Sequence, residues 1–171
     1  MRIRLILLLC LVSTAGLAKD ITPPKGFLKL DQRSAPHFTL KDIDGVSYTY
    51  ANSSGKWAFI HFWASWCGPC RKEIPELERL IKTDIAKKID IIIINTGENE
   101  DTIFGFLSEF APDLHTVMDS DGLITEKYSP RGLPTTYLVS PEGKMIYLAL
   151  GGIHWTEPLY YNFLQKLVKH H

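Results

Sequence analysis

The sequence predicts an α/β fold in which helices cover a mixed central sheet. Two apolar runs, residues 56–64 and 90–95, are typical of strands buried on both faces, and a helical pattern follows each of them. Near the end of the chain, two strand-like runs flank a Pro-Glu-Gly turn at residues 141–143 and lead into a last helical pattern. We therefore expect parallel strands joined by crossover helices, with an antiparallel pair of strands at the far edge.

The first half of the chain predicts a hairpin, a buried strand and a helix. Residues 37–50 alternate in polarity around Asp44-Gly45, which is a strong hairpin signal. The buried strand at residues 56–64 then runs directly toward two cysteines. From Cys67 to about Ile85 the pattern is helical, with apolar side chains recurring at Cys70, Ile74, Leu77 and Ile81. The cysteines therefore lie where a strand gives way to a helix.

The second half of the chain continues the alternation of strands and helices. The strand at 90–95 is followed by a helix over Asn99–Ala111, a short strand at 116–118 and a short helix at 123–128. The chain closes with a helix over Thr156–Val168. The side chains expected to face the core are Ile103, Phe106, Leu107 and Phe110 in the first of these helices, and Leu159, Phe163, Leu164 and Leu167 in the last.

Length and composition bound the class of protein. The chain has 171 residues, 45% of them hydrophobic and 22% charged, which is typical of one soluble globular domain with a proper core. Its formal net charge is zero, so no basic excess indicates a nucleic-acid partner.

The first residues are typical of a secretory signal peptide over residues 1–18. Arg2 and Arg4 precede an apolar stretch, Leu5–Val12, and small residues stand just before a cleavage site at Lys19. The alternative is an uncleaved membrane anchor, although the apolar stretch is short against the roughly 20 residues of a membrane span. We expect export to a bacterial periplasm, with a loosely ordered arm at residues 19–34 and one folded domain at 35–169.

Cleavage would remove Cys10 and leave only Cys67 and Cys70 in the mature chain. In an oxidising compartment such a pair does not stay reduced without help. A disulfide between residues three apart closes a tiny loop and adds little stability. Structural zinc requires four ligands, and the chain has no second cysteine pair and only scattered histidines outside its two terminal ones, so we expect no metal. A redox role is the hypothesis that remains strongest.

The predicted local structure fits redox chemistry at this pair. Cys67 comes at the N-terminus of a helix, where free amides and the helix dipole lower a thiol pKa. Cys70 lies one turn later on the apolar stripe and should face inward. An exposed nucleophile followed by a shielded resolving thiol suits disulfide exchange. Gly68 and Pro69 favour a tight first helical turn.

The stretch "HFWASWCGPCRKEIPELERL" resembles the active site of the thioredoxin superfamily. With "APHFTLKDIDG", "IIIINTGENEDTIFGFLSEF", "VMDSDGLITEKYSPRGLPTTYLVSPEGKMI" and a later "GG", it resembles the TlpA/ResA/DsbE group of exported thiol–disulfide oxidoreductases. The resemblance covers roughly Ser34–Val168. It implies a thioredoxin fold with an added N-terminal hairpin and a βα insertion before the strand that follows the cis-proline.

The same resemblance implies roles for individual residues. Cys67 would be the attacking cysteine and Cys70 the resolving one, the two forming a reversible disulfide. Pro134 in "GLPTT" matches the cis-proline, although most X-Pro bonds are trans and an ordinary strand-start proline is the alternative. Leu133 would present its backbone to an extended substrate segment. The predicted substrate-binding residues are Trp66, Gly68, Pro69, Leu133 and Pro134.

Three further positions border this predicted site. Glu73 matches an acidic residue of ResA-like proteins and could exchange protons with Cys70 if burial raises its pKa, the alternative being a solvated helix residue. The acidic "GENED" loop at residues 97–101 resembles a segment that shapes the docking surface, unless it is a solvated helix start. His61 departs from the family pattern, which has aspartate or asparagine there. It would either favour the thiolate as an imidazolium or be a hydrogen-bonded core residue.

The function implied by the resemblance is reduction of disulfides in exported proteins, an apocytochrome c CXXCH disulfide being one candidate substrate. Electrons would come from a membrane thiol donor of the DsbD/CcdA type, and no cofactor and no oligomer are expected. Two alternatives stay open. One is a thiol oxidant or isomerase that uses the same pair, and the other is a non-catalytic copper-handling module on the same fold. A peroxiredoxin is disfavoured because "WCGPC" stands where a threonine-containing motif would precede its cysteine.

Overall fold

Eight strands form one mixed sheet in this computed structural model, which describes residues 21–51 and 54–169. The predicted signal peptide and Cys10 lie outside the described residues. The strands are β1 (Phe27–Lys29), β2 (Phe38–Asp42), β3 (Ser47–Tyr50), β4 (Trp57–Trp63), β5 (Ile89–Thr96), β6 (Val117–Asp119), β7 (Thr135–Val139) and β8 (Met145–Leu150). The helices are α1 (Gly68–Ile81), α2 (Glu100–Phe110), α3 (Leu123–Tyr128) and α4 (Pro158–Lys169), with a 3-10 turn at Asp84–Lys87.

The sheet has the order β1-β8-β7-β4-β5-β6-β2-β3. Strands β4, β5 and β6 run parallel, and helices α1 and α2 make the crossovers between them. Strand β7 pairs antiparallel with β4, and β8 with β7. All seven side chains of β4 are buried, because layers cover the strand on both faces. The predicted α/β class and the thioredoxin fold are both confirmed.

A separate apolar core lies on each face of the sheet. On one face α1, α2 and α4 pack against Phe59, Trp63 and the odd-numbered isoleucines of β5. On the other face the hairpin and α3 pack against Ile60, Phe62 and the even-numbered isoleucines. This alternation is what a doubly covered strand requires, because successive side chains point to opposite faces. The cysteines belong to the first core.

The added hairpin and the insertion both extend the sheet at one side. Strands β2 and β3 pair antiparallel across the predicted Asp44-Gly45 turn, where Gly45 adopts a φ of +77° that favours glycine. Strand β2 then pairs antiparallel with β6. The predicted βα insertion corresponds to β6 and α3, which lie between the second βα unit, β5 with α2, and the strand that follows Pro134.

The N-terminal arm differs from the expectation of a loosely ordered segment. Residues 27–29 form β1, which pairs antiparallel with β8, so β8 is not an edge strand. Phe27 anchors β1 with ring centroids 5.1 Å from Phe163 and 6.0 Å from Trp155. A three-residue strand is too short to show a recognisable alternation, and its partners lie more than a hundred residues away.

The end of α1 and the burial of three predicted core residues also differ from the prediction. Helix α1 ends at Ile81 rather than near Ile85, and the Thr83 hydroxyl donates a 2.7 Å hydrogen bond to the Leu80 carbonyl just past the helix end. Leu80 is fully buried, whereas the expected core residue Ile81 is only half-buried. In α4 the side chain of Leu159 is 57% exposed, which corrects its predicted core position. It lies at the edge of the apolar stripe, whose first contact with the core comes from Tyr160. Phe110, a predicted core residue at the end of α2, is also exposed.

Candidate active site

Cys67 and Cys70 form a disulfide at the N-terminus of α1. Their Cα atoms are 5.2 Å apart. Cys67 is the residue that caps the helix, and its Sγ accepts a hydrogen bond from the Cys70 amide at 3.3 Å. In the reduced state the same amide and the positive end of the helix dipole would stabilise a thiolate at Cys67. The pair therefore lies at the strand–helix junction that the sequence predicts.

Cys67 is more buried than expected, whereas the burial of Cys70 agrees with the prediction. Cys70 is fully buried, as its position on the apolar stripe predicts, but Cys67 is only 6% exposed rather than an exposed nucleophile. The bond to Cys70 draws the Cys67 side chain into the core beneath α1. Trp66, immediately before it, is 70% exposed and makes the rim of the site. Of the two cysteines, Cys67 is the one that retains contact with solvent.

The Leu133–Pro134 peptide bond is cis, as the resemblance implies. The Pro134 carbonyl accepts a 3.0 Å hydrogen bond from the Gly151 amide, which joins this loop to the end of β8. The next residue, Gly152, is so close to the first turn of α1 that a Cβ there would lie 3.5 Å from the Pro69 carbonyl oxygen. Gly151 and Gly152 thus link the cis-proline loop to the Gly68-Pro69 turn. The sequence showed these glycines only as part of the resemblance.

Glu73 is buried within the site and is not a solvated helix residue. It is 2% exposed, and its Oε1 accepts a 2.5 Å hydrogen bond from the Trp155 indole. Burial raises the pKa of the Glu73 carboxyl to about 8, against the opposing effects of the Trp155 and Ile153 donors. Cys70 and Glu73 are one helical turn apart on the buried face of α1. The carboxyl is therefore protonated over much of the range below neutral pH.

Glu73 also borders a cavity of about 440 Å³ beside α1. Its lining comes from α1 and from the loop after β8: Gly68, Pro69, Lys72, Glu73, Gly152, Ile153 and His154. The predicted Gly68 and Pro69 thus face the same space as the predicted acid–base residue. The cavity therefore brings open space to the edge of the buried Glu73 side chain.

Trp155 is a site residue that sequence reasoning missed. It is fully buried and packs on Phe59 with ring centroids 4.6 Å apart. Glu76 holds the loop that carries it, because its carboxylate accepts hydrogen bonds from Thr156 at 2.9 Å and from His154 at 3.2 Å. No periodicity marks a tryptophan in a loop 82 residues from its partner Glu73. The only sequence feature that links Trp155 to the site is the nearby Gly-Gly pair.

His61 lies on the face of β4 that carries the active-site core and is fully buried. Its Nδ1 is hydrogen-bonded to the Thr136 hydroxyl at 2.8 Å, and its ring stacks on Phe59. Burial lowers the pKa of the imidazole to about 3, so the ring is neutral at physiological pH. Tuning of the thiols by an imidazolium is therefore not supported, and the geometry is that of a hydrogen-bonded core histidine.

The acidic loop at residues 97–101 divides into two parts with different contacts. Asn99 caps α2 by accepting a hydrogen bond from the Thr102 amide at 2.9 Å. Glu98 instead points to the loop before Cys67, where its carboxylate accepts hydrogen bonds from Ser65. The loop is thus only partly the solvated helix start that formed the alternative prediction.

Two kinds of feature are absent from the described residues. Within residues 21–51 and 54–169, no group of three His, Cys, Asp or Glu side chains is arranged to hold a metal ion. In the same ranges, no helix combines the length and apolarity needed to cross a membrane.

Comparison with known proteins agrees with this geometry. The AhpC/TSA family profile matches residues 32–148. The thiol-disulfide oxidoreductase ResA of Bacillus subtilis is 30% identical over 133 residues, 78% of this chain and 73% of ResA. The thioredoxin domain of a thiol-disulfide oxidoreductase from Bacteroides vulgatus superposes with a TM-score of 0.67 at 29% identity, covering 81% of this chain and 99% of that domain. StoA from Bacillus subtilis has the same fold, with a TM-score of 0.63 at 22% identity over 80% of this chain and 96% of StoA.

A redox-spaced cysteine pair at a helix N-terminus, beside a cis-proline on a thioredoxin fold, defines the class of thiol–disulfide oxidoreductases. The chain belongs to the AhpC/TSA family and, within the thioredoxin superfamily, is a TlpA/ResA/DsbE-like protein. It is an enzyme of thiol–disulfide exchange, and its substrates are protein disulfides.

Proposed function

We propose that the protein is an exported reductant of disulfides in other proteins, with Cys67 as nucleophile and Cys70 as resolving thiol. The observation that carries the proposal is the asymmetry of the pair. Cys67 caps α1 and keeps some contact with solvent, whereas Cys70 is fully buried one helical turn from Glu73. Only one of the two sulfurs can therefore meet a substrate first.

The exchange proceeds in two displacements. The Cys67 thiolate attacks one sulfur of the substrate disulfide, so a mixed disulfide forms and the other substrate sulfur leaves as a thiolate and takes up a proton. The Cys70 thiolate then attacks Sγ of Cys67, which closes the Cys67–Cys70 disulfide and releases the second substrate thiol. Two electrons pass from the cysteine pair to the substrate. A membrane thiol donor of the DsbD/CcdA type would restore the dithiol.

Glu73 takes part in the second displacement as the acid–base group for Cys70. The Cys70 thiol has to lose a proton before it can attack, and it is shut off from solvent. The ionised fraction of a carboxyl group with a pKa of about 8, one turn away, can accept that proton and pass it to the cavity beside α1. When the donor reduces the protein again, the same carboxyl returns the proton.

The substrate segment lies against the cis-proline loop. Leu133, just before the cis bond, offers its backbone to an extended chain, in the manner of an added β-strand. Trp66 is the exposed aromatic next to Cys67 and contacts the partner from the other side. Gly68 and Pro69 leave room for the substrate sulfur because their side chains are small or compact.

Cellular context completes the proposal. Residues 1–18 direct export to a bacterial periplasm and are cleaved, and the rest of the chain acts as a monomer, in which β1 of the predicted arm at residues 19–34 joins the sheet of the predicted domain at 35–169. A candidate substrate is an apocytochrome c whose CXXCH cysteines have oxidised.

Equilibration of the purified protein with glutathione, together with reduction of insulin disulfides, tests the direction of exchange. We expect a reducing potential and turnover of insulin that Cys67→Ser abolishes. A potential near the roughly −120 mV of strong oxidants would overturn the reductant role. In cells, Cys70→Ala should trap the partner as a mixed disulfide on Cys67, which mass spectrometry identifies. Failure to trap any partner while Cys67 remains open to alkylation would contradict the mechanism.

A further inference from the structure

Ser65, in the loop between β4 and α1, is held by Glu98 from the loop between β5 and α2. The Ser65 amide donates a 2.7 Å hydrogen bond to Glu98 Oε2, and the Ser65 hydroxyl donates a 2.5 Å hydrogen bond to Oε1. The buried Asn95, at the end of β5, donates a third hydrogen bond to Oε2 at 2.6 Å. One carboxylate therefore joins the end of β5 to the loop that leads into Cys67.

The remaining polar group of Ser65, its carbonyl, is hydrogen-bonded to a positively charged side chain. The Arg71 guanidinium, from α1, donates a 3.2 Å hydrogen bond to the Ser65 carbonyl. The same guanidinium lies over the rings of Phe106 and Phe110 in α2, at 4.9 Å and 5.2 Å from their centroids. The amide, hydroxyl and carbonyl of Ser65 are thus all engaged, and both charged partners connect the loop to α2 or to the residues just before it. We refer to Ser65, Glu98 and Arg71 as the Ser65 clamp.

The bend that aims Glu98 at Ser65 is built into the chain. Gly97 adopts a φ of +73°, and its amide donates a 2.9 Å hydrogen bond to the Asp119 carbonyl in β6. Capping of α2 falls to Asn99, so the Glu98 carboxylate is not needed at the helix start. Glu98 is therefore directed toward the redox loop, even though it lies in a run of acidic residues that would otherwise favour a helix N-terminus.

We propose that Glu98 is a positioning residue for disulfide exchange, which acts by holding Ser65 so that Trp66 and Cys67 face a substrate protein. The inference rests on the proposed role of Cys67. Trp66 is 70% exposed, and a side chain so far from the core depends on its backbone for its direction. With the clamp, α2 and the loop before it fix the direction of the loop that carries Trp66 and Cys67.

Three variants separate the hydrogen bonds of Glu98 from its charge. In Glu98→Gln, an amide oxygen in the place of Oε2 can still accept from Ser65 and Asn95, and the amide NH₂ can donate to the Ser65 hydroxyl oxygen. Glu98→Ala removes all three hydrogen bonds. Glu100→Ala, an exposed acidic residue of the same segment, removes a charge without touching the clamp and serves as the matched control.

We expect Glu98→Ala to lower kcat/KM for insulin reduction about tenfold, mainly through KM, the loss expected when a charge-assisted hydrogen bond disappears. The reduction potential should stay unchanged, and hydrogen exchange of the Ser65 and Trp66 amides should become about tenfold faster. Glu98→Gln and Glu100→Ala should remain within about threefold of wild type in all three measurements. The proposal is overturned if Glu98→Ala behaves like Glu100→Ala, or if Glu98→Gln loses as much as Glu98→Ala.

Two measurements keep the test decisive. If Glu98→Ala does not fold, Ser65→Ala removes only the hydroxyl contact, and a smaller change in the same direction is expected; no change would contradict the clamp. If wild-type protein does not reduce insulin, the proposed reductant role fails by itself. The clamp is then judged by amide exchange and by the rate at which iodoacetamide alkylates Cys67, neither of which needs a substrate protein.

Discussion

Glu73 and His61 are both buried ionisable residues in the core beneath α1, yet they differ in access. Glu73 borders a cavity of about 440 Å³ and is held by a loop residue, Trp155. His61 is enclosed between the Phe59 ring and the Thr136 hydroxyl within the sheet. Burial favours the neutral form of each, raising the pKa of Glu73 to about 8 and lowering that of His61 to about 3. The proposed acid–base role of Glu73 therefore rests on the cavity beside it as well as on its burial.

The largest expected effect is on the pH dependence of stability. Below pH 4.5 the Glu73 carboxyl is protonated in the folded and the unfolded chain, and its contribution to stability is full. As the pH rises toward 8, the unfolded chain ionises first, so the free energy of unfolding falls by about 1.4 kcal/mol per pH unit. We expect Glu73→Gln to remove a loss of about 3 to 4 kcal/mol, measured by urea unfolding of the oxidised protein across this range.

His61→Gln provides the control for this measurement. It replaces a group that is neutral above pH 6.5 in both states, so the decline between neutral pH and pH 8 should persist. A wild-type curve as flat as that of Glu73→Gln would show that the carboxyl is ionised in the folded protein.

The next effect is on catalysis. Loss of a general acid–base group costs on the order of 10²-fold, so Glu73→Gln should slow release of the substrate from the mixed disulfide by about that factor. Stopped-flow measurement of the resolving step in wild type should show a pH dependence centred near the Glu73 pKa of about 8, and the variant should lose it.

His61 again provides the control, now for the catalytic measurement. His61→Gln should keep the same pH dependence of the resolving step, because the fully buried imidazole is already neutral over the range in which Glu73 titrates. An equal loss of pH dependence in both variants would remove the distinction between the two residues.

The sequence predicts the strand, the helix and the cysteines of the site better than it predicts the contacts between distant residues around them. Strand β4, helix α1 and both cysteines follow from local periodicity, since each signal lies within a few residues of the feature it predicts. The contact of Trp155 with Glu73 spans 82 residues, and that of Glu98 with Ser65 spans 33. Such contacts depend on loop conformations set by glycines such as Gly97 and Gly151, which no periodicity reports. The cis bond before Pro134 was expected only through resemblance.

The structural features that depart from the sequence-based predictions also depend on long-range contacts. The burial of Cys67 follows from its bond to Cys70, a constraint that helical spacing does not contain. The strand at residues 27–29 is defined by its partner β8 and not by its own three residues. Leu159 is apolar, as a core residue usually is, but it lies one residue before Tyr160, where the apolar stripe of α4 first contacts the core. Local pattern thus predicts elements, and long-range packing decides their ends and their contacts.

The smallest effect tests whether His61 is purely structural. Thr136→Val removes the hydroxyl that is 2.8 Å from Nδ1 of His61 and leaves a buried ring nitrogen unpaired, so we expect a loss of about 1 to 2 kcal/mol in the free energy of unfolding. The rate of insulin reduction and the reduction potential should not change, because the neutral ring donates no charge to the cysteines. Thr49→Val, on the exposed hairpin, is the matched control and should stay within about 0.5 kcal/mol of wild type. A shift of the reduction potential in Thr136→Val with no such shift in Thr49→Val would instead identify His61 as a residue that tunes the cysteine pair through the polarity of its surroundings.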